Sequence, residues 1–128
     1  MRPNARALRD RLAGADRAVE IGVGRRPEVA AGLAARGVAV TATDLRERSV
    51  PEGVQFVRDD VTDPRRAVYA GADVLYARNL PPELQRPTVE LARAVDAACL
   101  FTTLGGDPTA VPARREQLPA ETLYRARQ

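Results

Sequence analysis

Apolar and polar positions switch between two periods along this chain. In ARALRDRLA, Ala5, Leu8 and Leu12 share one helical face, which predicts a helix over residues 5–13. RAVEIG, residues 17–22, reads as a first strand. The chain then breaks into Gly22-Val23-Gly24. Pro27 suits the first turn of a helix, where its missing N–H costs nothing, and Glu28 complements the same helix start electrostatically. Val29, Ala30, Leu33 and Ala34 give that helix an apolar stripe, and Gly37 can end it. VAVTAT, residues 38–43, is a second strand rich in β-branched residues, and it stops at Asp44.

VQFVR, residues 54–58, predicts a third strand. DDVTDPRRAVYAG predicts a turn and a short helix, with Asp63 as N-cap and Pro64 at the first helical position. ADVLYA, residues 72–77, is a fourth strand. NLPPELQ reads as a turn with at most a single helical turn. Pro87 disrupts a helix running through it, so the main helix is expected over residues 87–97. CLFTTL, residues 99–104, is a fifth strand, GGDPTAVP is a loop, and ETLYRAR is expected to close the sheet as an edge strand.

Alternation of strands and helices through residue 104 predicts an α/β fold with right-handed crossovers and helices on both faces. The expected architecture is one three-layer, Rossmann-like domain over residues 1–128. Its mostly parallel sheet takes the order 3-2-1-4-5, with an extra edge strand. In such sheets ligands bind beyond the carboxyl ends of the strands, where the strand order reverses. Gly22–Arg26, Asp44, Asp59 and Asp60, and Arg78 and Asn79 all follow strand ends, so they are expected to converge on one crevice.

Composition removes several chemistries. The chain has no histidine, which excludes Ser-His-Asp and Cys-His catalysis and every His-ligated metal site. Its one cysteine, Cys99, allows neither an intramolecular disulfide nor a cysteine zinc site, and its strand position predicts core packing. No metal site is expected. No apolar run approaches the ~20 residues that span a bilayer. The N-terminal MRPNARALRDRLAG is basic but has no apolar stretch of the secretory kind. The reading is a cytoplasmic protein without a membrane partner. All 20 basic residues are arginine, yet the net charge is only +3 and aromatics make up 4%. A dense basic stripe interleaved with stacking aromatics is absent, so RNA is compatible with the sequence without being indicated by it.

What remains is Glu20-Ile21-Gly22-Val23-Gly24. Gly22 permits a sharp turn off the strand, and Gly24 lets a ligand approach the backbone closely. The helix opening near Pro27 directs free N–H groups to the same place. Asp44 ends the next strand about 20 residues further on, where a carboxylate can accept bonds from both hydroxyls of a ribose. The first two strands therefore read as a nucleoside-binding half-site. A tight turn beside an exposed aspartate is the alternative. The dinucleotide fingerprint requires a third glycine where Pro27 stands, and an apolar residue where Glu20 stands.

Glu20, Gly22 and Gly24, followed by Asp44 and Asp60, resemble the successive cofactor motifs of class I methyltransferases. The resemblance implies S-adenosylmethionine as cofactor. It places Glu20, Gly22 and Gly24 at the methionine end, Asp44 at the ribose and Asp60 near the adenine amino group. The sequence departs from that pattern at Arg26, where the methyltransferases commonly carry a further glycine. Arg25 and Arg26 put positive charge beside a cationic sulfonium, unless they point outward or meet a carboxylate. Asn79-Leu80-Pro81-Pro82 resembles the Asn-Pro-Pro-aromatic tetrad of amino-methyltransferases, but a leucine intervenes and Glu83 stands in the aromatic position. A Pro-rich turn into the next helix is the plainer reading.

Over nearly the whole chain, RAVEIGVGRRPEVA, VTATDL, VRDDVTDPR and ADVLYARNLPPELQ resemble a family of short archaeal proteins. That family is known only as an uncharacterised one with a methyltransferase-like Rossmann fold. It brings no assigned reaction. The expected function is binding of S-adenosylmethionine or its demethylated product, with methyl transfer to an unknown acceptor. Little chain follows the fifth strand to build a substrate lid, so a partner protein, a homodimer or a large substrate such as RNA is expected to complete the site. A non-catalytic nucleoside-binding or protein-interaction module is the alternative, and an NAD-binding protein the third choice. No catalytic residue is identified.

Overall fold

A computed structural model describes residues 1–128. Three α-helices are present: α1 (Pro3–Leu12), α2 (Glu28–Ala35) and α3 (Pro82–Ala94). Seven strands form one sheet: β1 (Arg17–Ile21), β2 (Ala39–Asp44), β3 (Val54–Arg58), β4 (Val74–Ala77), β5 (Ala98–Phe101), β6 (Ala113–Leu118) and β7 (Glu121–Ala126). Their order is β3-β2-β1-β4-β5-β7-β6. The first five run parallel. β7 pairs antiparallel to β5, and β6 antiparallel to β7. No helix is long and apolar enough to cross a membrane.

Pleating divides the core in two. On one face Ala18, Val40, Val74, Leu100 and Leu123 pack under α1 and α2. On the other Val19, Leu75, Cys99 and Phe101 pack under α3 with Val89, Leu91 and Ala92. Tyr124 stacks on Phe101 with ring centroids 5.9 Å apart, so the antiparallel strand is welded to the sheet by an aromatic pair as well as by its ladder. Burial pushes the Cys99 thiol up to about 12, in keeping with a packing role.

α2 ends as Gly37 suggests. Gly37 takes φ 87°, its N–H donates to the Ala34 carbonyl, and the Val38 N–H donates to the Leu33 carbonyl. That double bond pattern is a Schellman motif, and it satisfies two carbonyls that would otherwise be orphaned.

Three local expectations are corrected. First, α3 runs through Pro87 instead of starting there. Pro81 and Pro82 open the helix at its N-cap and first position, where proline is tolerated. The carbonyl that loses its partner to Pro87 belongs to Glu83, which is exposed and open to water. The next turn is reinforced by the Thr88 hydroxyl donating to the Leu84 carbonyl at 2.7 Å. Second, the segment after β3 forms only a 3-10 turn at Arg66–Val68, with no side-chain cap from Asp63. The Asp59 carboxylate intervenes, because it accepts the Arg65 N–H and the Tyr69 hydroxyl and draws the segment into a tighter turn. Third, ETLYRAR is not the sheet edge. It is β7, inserted between β5 and β6, and the edge strand is ARREQL.

Candidate functional site

The strand order reverses between β1 and β4, and the segments leaving the carboxyl ends of these strands build the site. Gly22 and Gly24 adopt φ 72° and 57°, a region L-residues avoid. The turn they make is tied to β2. The Gly22 and Val23 N–H groups each donate to the Thr43 carbonyl at 3.0 Å, and the Gly24 N–H donates to Asp44 Oδ2 at 2.8 Å. The Thr43 hydroxyl returns a bond to the Glu20 carbonyl at 3.1 Å. A Cβ built on either glycine meets nothing within 4 Å, so these glycines serve the turn's dihedrals and leave open space above it.

Two clefts meet at Gly22. The first, about 360 Å³, is lined by Glu20, Gly24, Arg25, Arg26, Arg78 and Asn79. The second, about 140 Å³ and more apolar, is lined by Ile21, Asp44, Asp60, Val61 and Leu84. Leu104 stands on the lip of the first and Leu45 on that of the second, and both are exposed. The expected convergence of strand ends is thus realised as two abutting clefts instead of one crevice.

Glu20 forms the floor of the first cleft and is only 1% exposed. Its register partner on β4 is Tyr76, whose buried hydroxyl donates to Glu20 Oε1 at 2.7 Å. Burial pushes the Glu20 carboxyl up to about 8, against the pull of the Tyr76 hydroxyl and the Arg78 guanidinium and with a push from Glu28. Burial thus favours its protonated form. Burial, the Glu20 charge and the hydrogen bond together hold the Tyr76 phenol well above its usual range. Tyr76 is thus a partner of Glu20 and not a ready base.

Arg78 crosses from β4 to the start of α2, where Nη1 pairs with Glu28 Oε1 at 2.9 Å and approaches the Arg26 carbonyl at 3.4 Å. Burial raises the Glu28 carboxyl, but its own backbone N–H and the Arg78 guanidinium outweigh this and leave it below the usual range. Asn79 has φ 53°, a left-handed conformation Asn tolerates better than most residues. Its N–H donates to the Thr102 hydroxyl at 2.8 Å, which fixes the rim of the cleft to the end of β5.

Asp44 is already engaged. Besides Gly24 it accepts the Arg46 N–H on Oδ1 at 3.1 Å, and Arg48 Nε lies 3.5 Å from the same oxygen. Asp60 accepts the Thr62 hydroxyl and N–H on Oδ1, at 2.7 and 2.9 Å, and these bonds lower its pKa. Asp59 faces inward, with its side chain 3% exposed. It anchors Tyr69 at 2.6 Å and Arg65 at 3.1 Å. All five residues singled out by sequence, Glu20, Gly22, Gly24, Asp44 and Asp60, line one cleft or the other. The Glu20–Tyr76 pair and the Arg78–Glu28 bridge leave no mark in the sequence. Both are long-range pairings that only strand register and chain crossover create.

Comparison with known proteins adds the following. The UPF0146 protein of Halobacterium salinarum strain R1 is 58% identical over 117 residues, 91% of each chain. Among solved structures, a Burkholderia thailandensis 1,6-didemethyltoxoflavin-N1-methyltransferase with bound 1,6-didemethyltoxoflavin and S-adenosylhomocysteine superposes with a TM-score of 0.59. It is 23% identical, and the match covers 98% of this chain and 60% of that one. A putative Zn-dependent alcohol dehydrogenase from Rhodobacter sphaeroides gives a TM-score of 0.64 at 17% identity, over 84% of this chain and 49% of its own. The chain thus spans half to three-fifths of these two solved structures, and at such identities the likeness concerns the fold, which is Rossmann-like and shared with methyltransferases. Residues 5–128 match the profile of the uncharacterised protein family UPF0146, and the chain belongs to that family.

Proposed function

We propose that this protein binds S-adenosylmethionine or its demethylated product across the two clefts, as a methyltransferase-like protein with an acceptor still to be found. The observation that carries the reading is the division of labour at Gly22. A buried carboxyl floors the larger, polar cleft, while the smaller, apolar cleft carries Asp44 and Asp60 on its rim. A ligand with an ammonium-bearing amino-acid end and a flat nucleoside end suits that division. Glu20 would meet the ammonium, Asp44 the ribose and Asp60 the base, with Ile21, Val61 and Leu84 as apolar walls. The open space over Gly22 and Gly24 leaves room for the junction between the two ends.

The sheet order supports this cofactor over a dinucleotide. The dinucleotide fold runs 3-2-1-4-5-6 from two parallel halves. Here an antiparallel strand is inserted beside β5. When bound, such a cofactor supplies an electrophilic methyl group. The chain would contribute position and orientation, since in-line placement lowers much of the barrier when the nucleophile is already reactive. One observation favours a second reading, a nucleoside-binding module without catalysis. The cleft groups that could move a proton are already committed, Tyr76 to Glu20 and Arg78 to Glu28.

Thermal shift with S-adenosylmethionine, S-adenosylhomocysteine and NAD tests the proposal. A ligand at about 100 times its Kd stabilises by about 2.7 kcal/mol, which raises the midpoint by several degrees. The first two ligands are expected to do so and NAD is not. A response to NAD alone overturns the cofactor assignment.

A further inference from the structure

At the opposite end of the sheet from these clefts lies a concavity of about 430 Å³, lined by Arg114, Arg125, Ala126, Arg127 and Gln128. Its place follows from register. β7 runs against β5 with Arg125 opposite Leu100, and the Gln128 amide donates to the Ala97 carbonyl, just before β5 begins. The site therefore sits toward the amino ends of the parallel strands.

Its charge is not explained by the fold. Arg114 stands directly opposite Arg125 in the β6–β7 ladder, and Arg127 lies just beyond the ladder, where its N–H donates to the Pro112 carbonyl at 3.0 Å. Like charges directly opposed across a ladder are destabilising. Arg114, Arg125 and Arg127 are exposed, and no carboxylate forms an ion pair with them. The nearby carboxylate, Glu116, is held by a two-pronged bond from Arg11, at 2.9 and 3.1 Å. That bond, with weaker pulls from Arg125 and Arg114, holds Glu116 below the usual carboxylate range.

We infer that this arginine-lined concavity is an anion-binding site for a phosphate-bearing ligand. A guanidinium presents a planar fork that matches phosphate oxygens in pairs. Three forks around one hollow suit a polyanion, whereas a single carboxylate would occupy only one. A polyphosphate and a polynucleotide backbone both present such successive phosphate charges. Both sources share this chemistry. The site stands apart from the cofactor reading and survives its failure.

The test uses the full chain, a fluorescent oligouridylate followed by anisotropy, and inorganic tripolyphosphate followed by calorimetry. It compares wild type with Arg114→Gln/Arg125→Gln, and with a charge-matched control on α3, Arg86→Gln/Arg93→Gln. The first variant is expected to bind at least about tenfold more weakly. The control is expected to bind as wild type does. For the oligonucleotide, the salt slope is expected to fall by about 0.7 for each phosphate no longer neutralised by an arginine. Selective loss with the oligonucleotide identifies a nucleic-acid backbone as the source. Selective loss with tripolyphosphate alone identifies a free polyphosphate. Because the opposed pair repels, the variant is expected to melt at or above the wild-type temperature. A lower melting point, an equal loss in the control, or no binding of either probe by wild type would each overturn the inference.

Discussion

Glu20 ties the chemistry of the larger cleft to stability. Its carboxyl titrates near 4.5 when unfolded and is raised to about 8 in the fold, with burial as the main cause. A raised folded value means that the native state holds the proton more tightly. The associated stability is fully present below pH 4.5 and is lost progressively as pH rises toward 8. The fully buried position makes this loss a few kcal/mol. Glu20→Gln keeps an acceptor for the Tyr76 hydroxyl and removes the titration. Urea melts at pH 5, 7 and 9 are expected to show a flatter pH dependence than wild type and higher stability at pH 9. At φ 72°, Gly22→Ala is expected to cost about 1–2 kcal/mol from the backbone alone, because the new methyl meets no neighbour. A loss of cofactor affinity in folded Gly22→Ala would then report a ligand lying over the turn. The sequence reveals Glu20 as an anomalous acid in an apolar strand. It does not reveal Tyr76 as its partner, because that depends on the β1–β4 register.

Among the elements, α3 shows where local rules and tertiary context part. Read alone, Pro87 divides residues 82–94, yet the helix is continuous, with Gln85, Thr88, Val89, Leu91 and Ala92 buried along one face. Packing of that face outweighs one lost hydrogen bond near the helix start. Pro87→Ala restores the N–H donor to the Glu83 carbonyl but loosens the unfolded chain. Chemical denaturation is expected to show a net gain of about 1–2 kcal/mol. β6 is hidden in the sequence for a different reason. Its residues, ARREQL, put charge on both faces, the pattern of an edge strand that avoids pairing with other chains. The parallel strands are legible because they are apolar on both faces and separated by helices or turns, and the handedness of crossovers then leaves few orders to consider. The absence of a full helix between β3 and β4 is not legible, since it depends on Asp59 reaching Tyr69 across ten residues.

Taken whole, the molecule places Glu20, Asp44 and Asp60 at one end of the sheet and an unpaired arginine group at the other. The Arg78–Glu28 bridge locks the first end by joining β4 to α2 across the larger cleft. Both side chains are partly buried, at 13% and 31% exposure, so a double-mutant cycle is expected to give a coupling of about 1 kcal/mol. Asp44 needs care as a probe, because it also holds the Gly24 N–H. Asp44→Asn keeps a side-chain oxygen for that bond while removing the charge, whereas Asp44→Ala would also release the loop. Cofactor binding is best decided by calorimetric titration of S-adenosylhomocysteine into wild type and Asp44→Asn, with NAD as the competing ligand. One site per chain is expected for S-adenosylhomocysteine, about tenfold or more weaker in Asp44→Asn, with no heat from NAD. Absence of S-adenosylhomocysteine binding, or binding unchanged in Asp44→Asn, would contradict the proposed cofactor site.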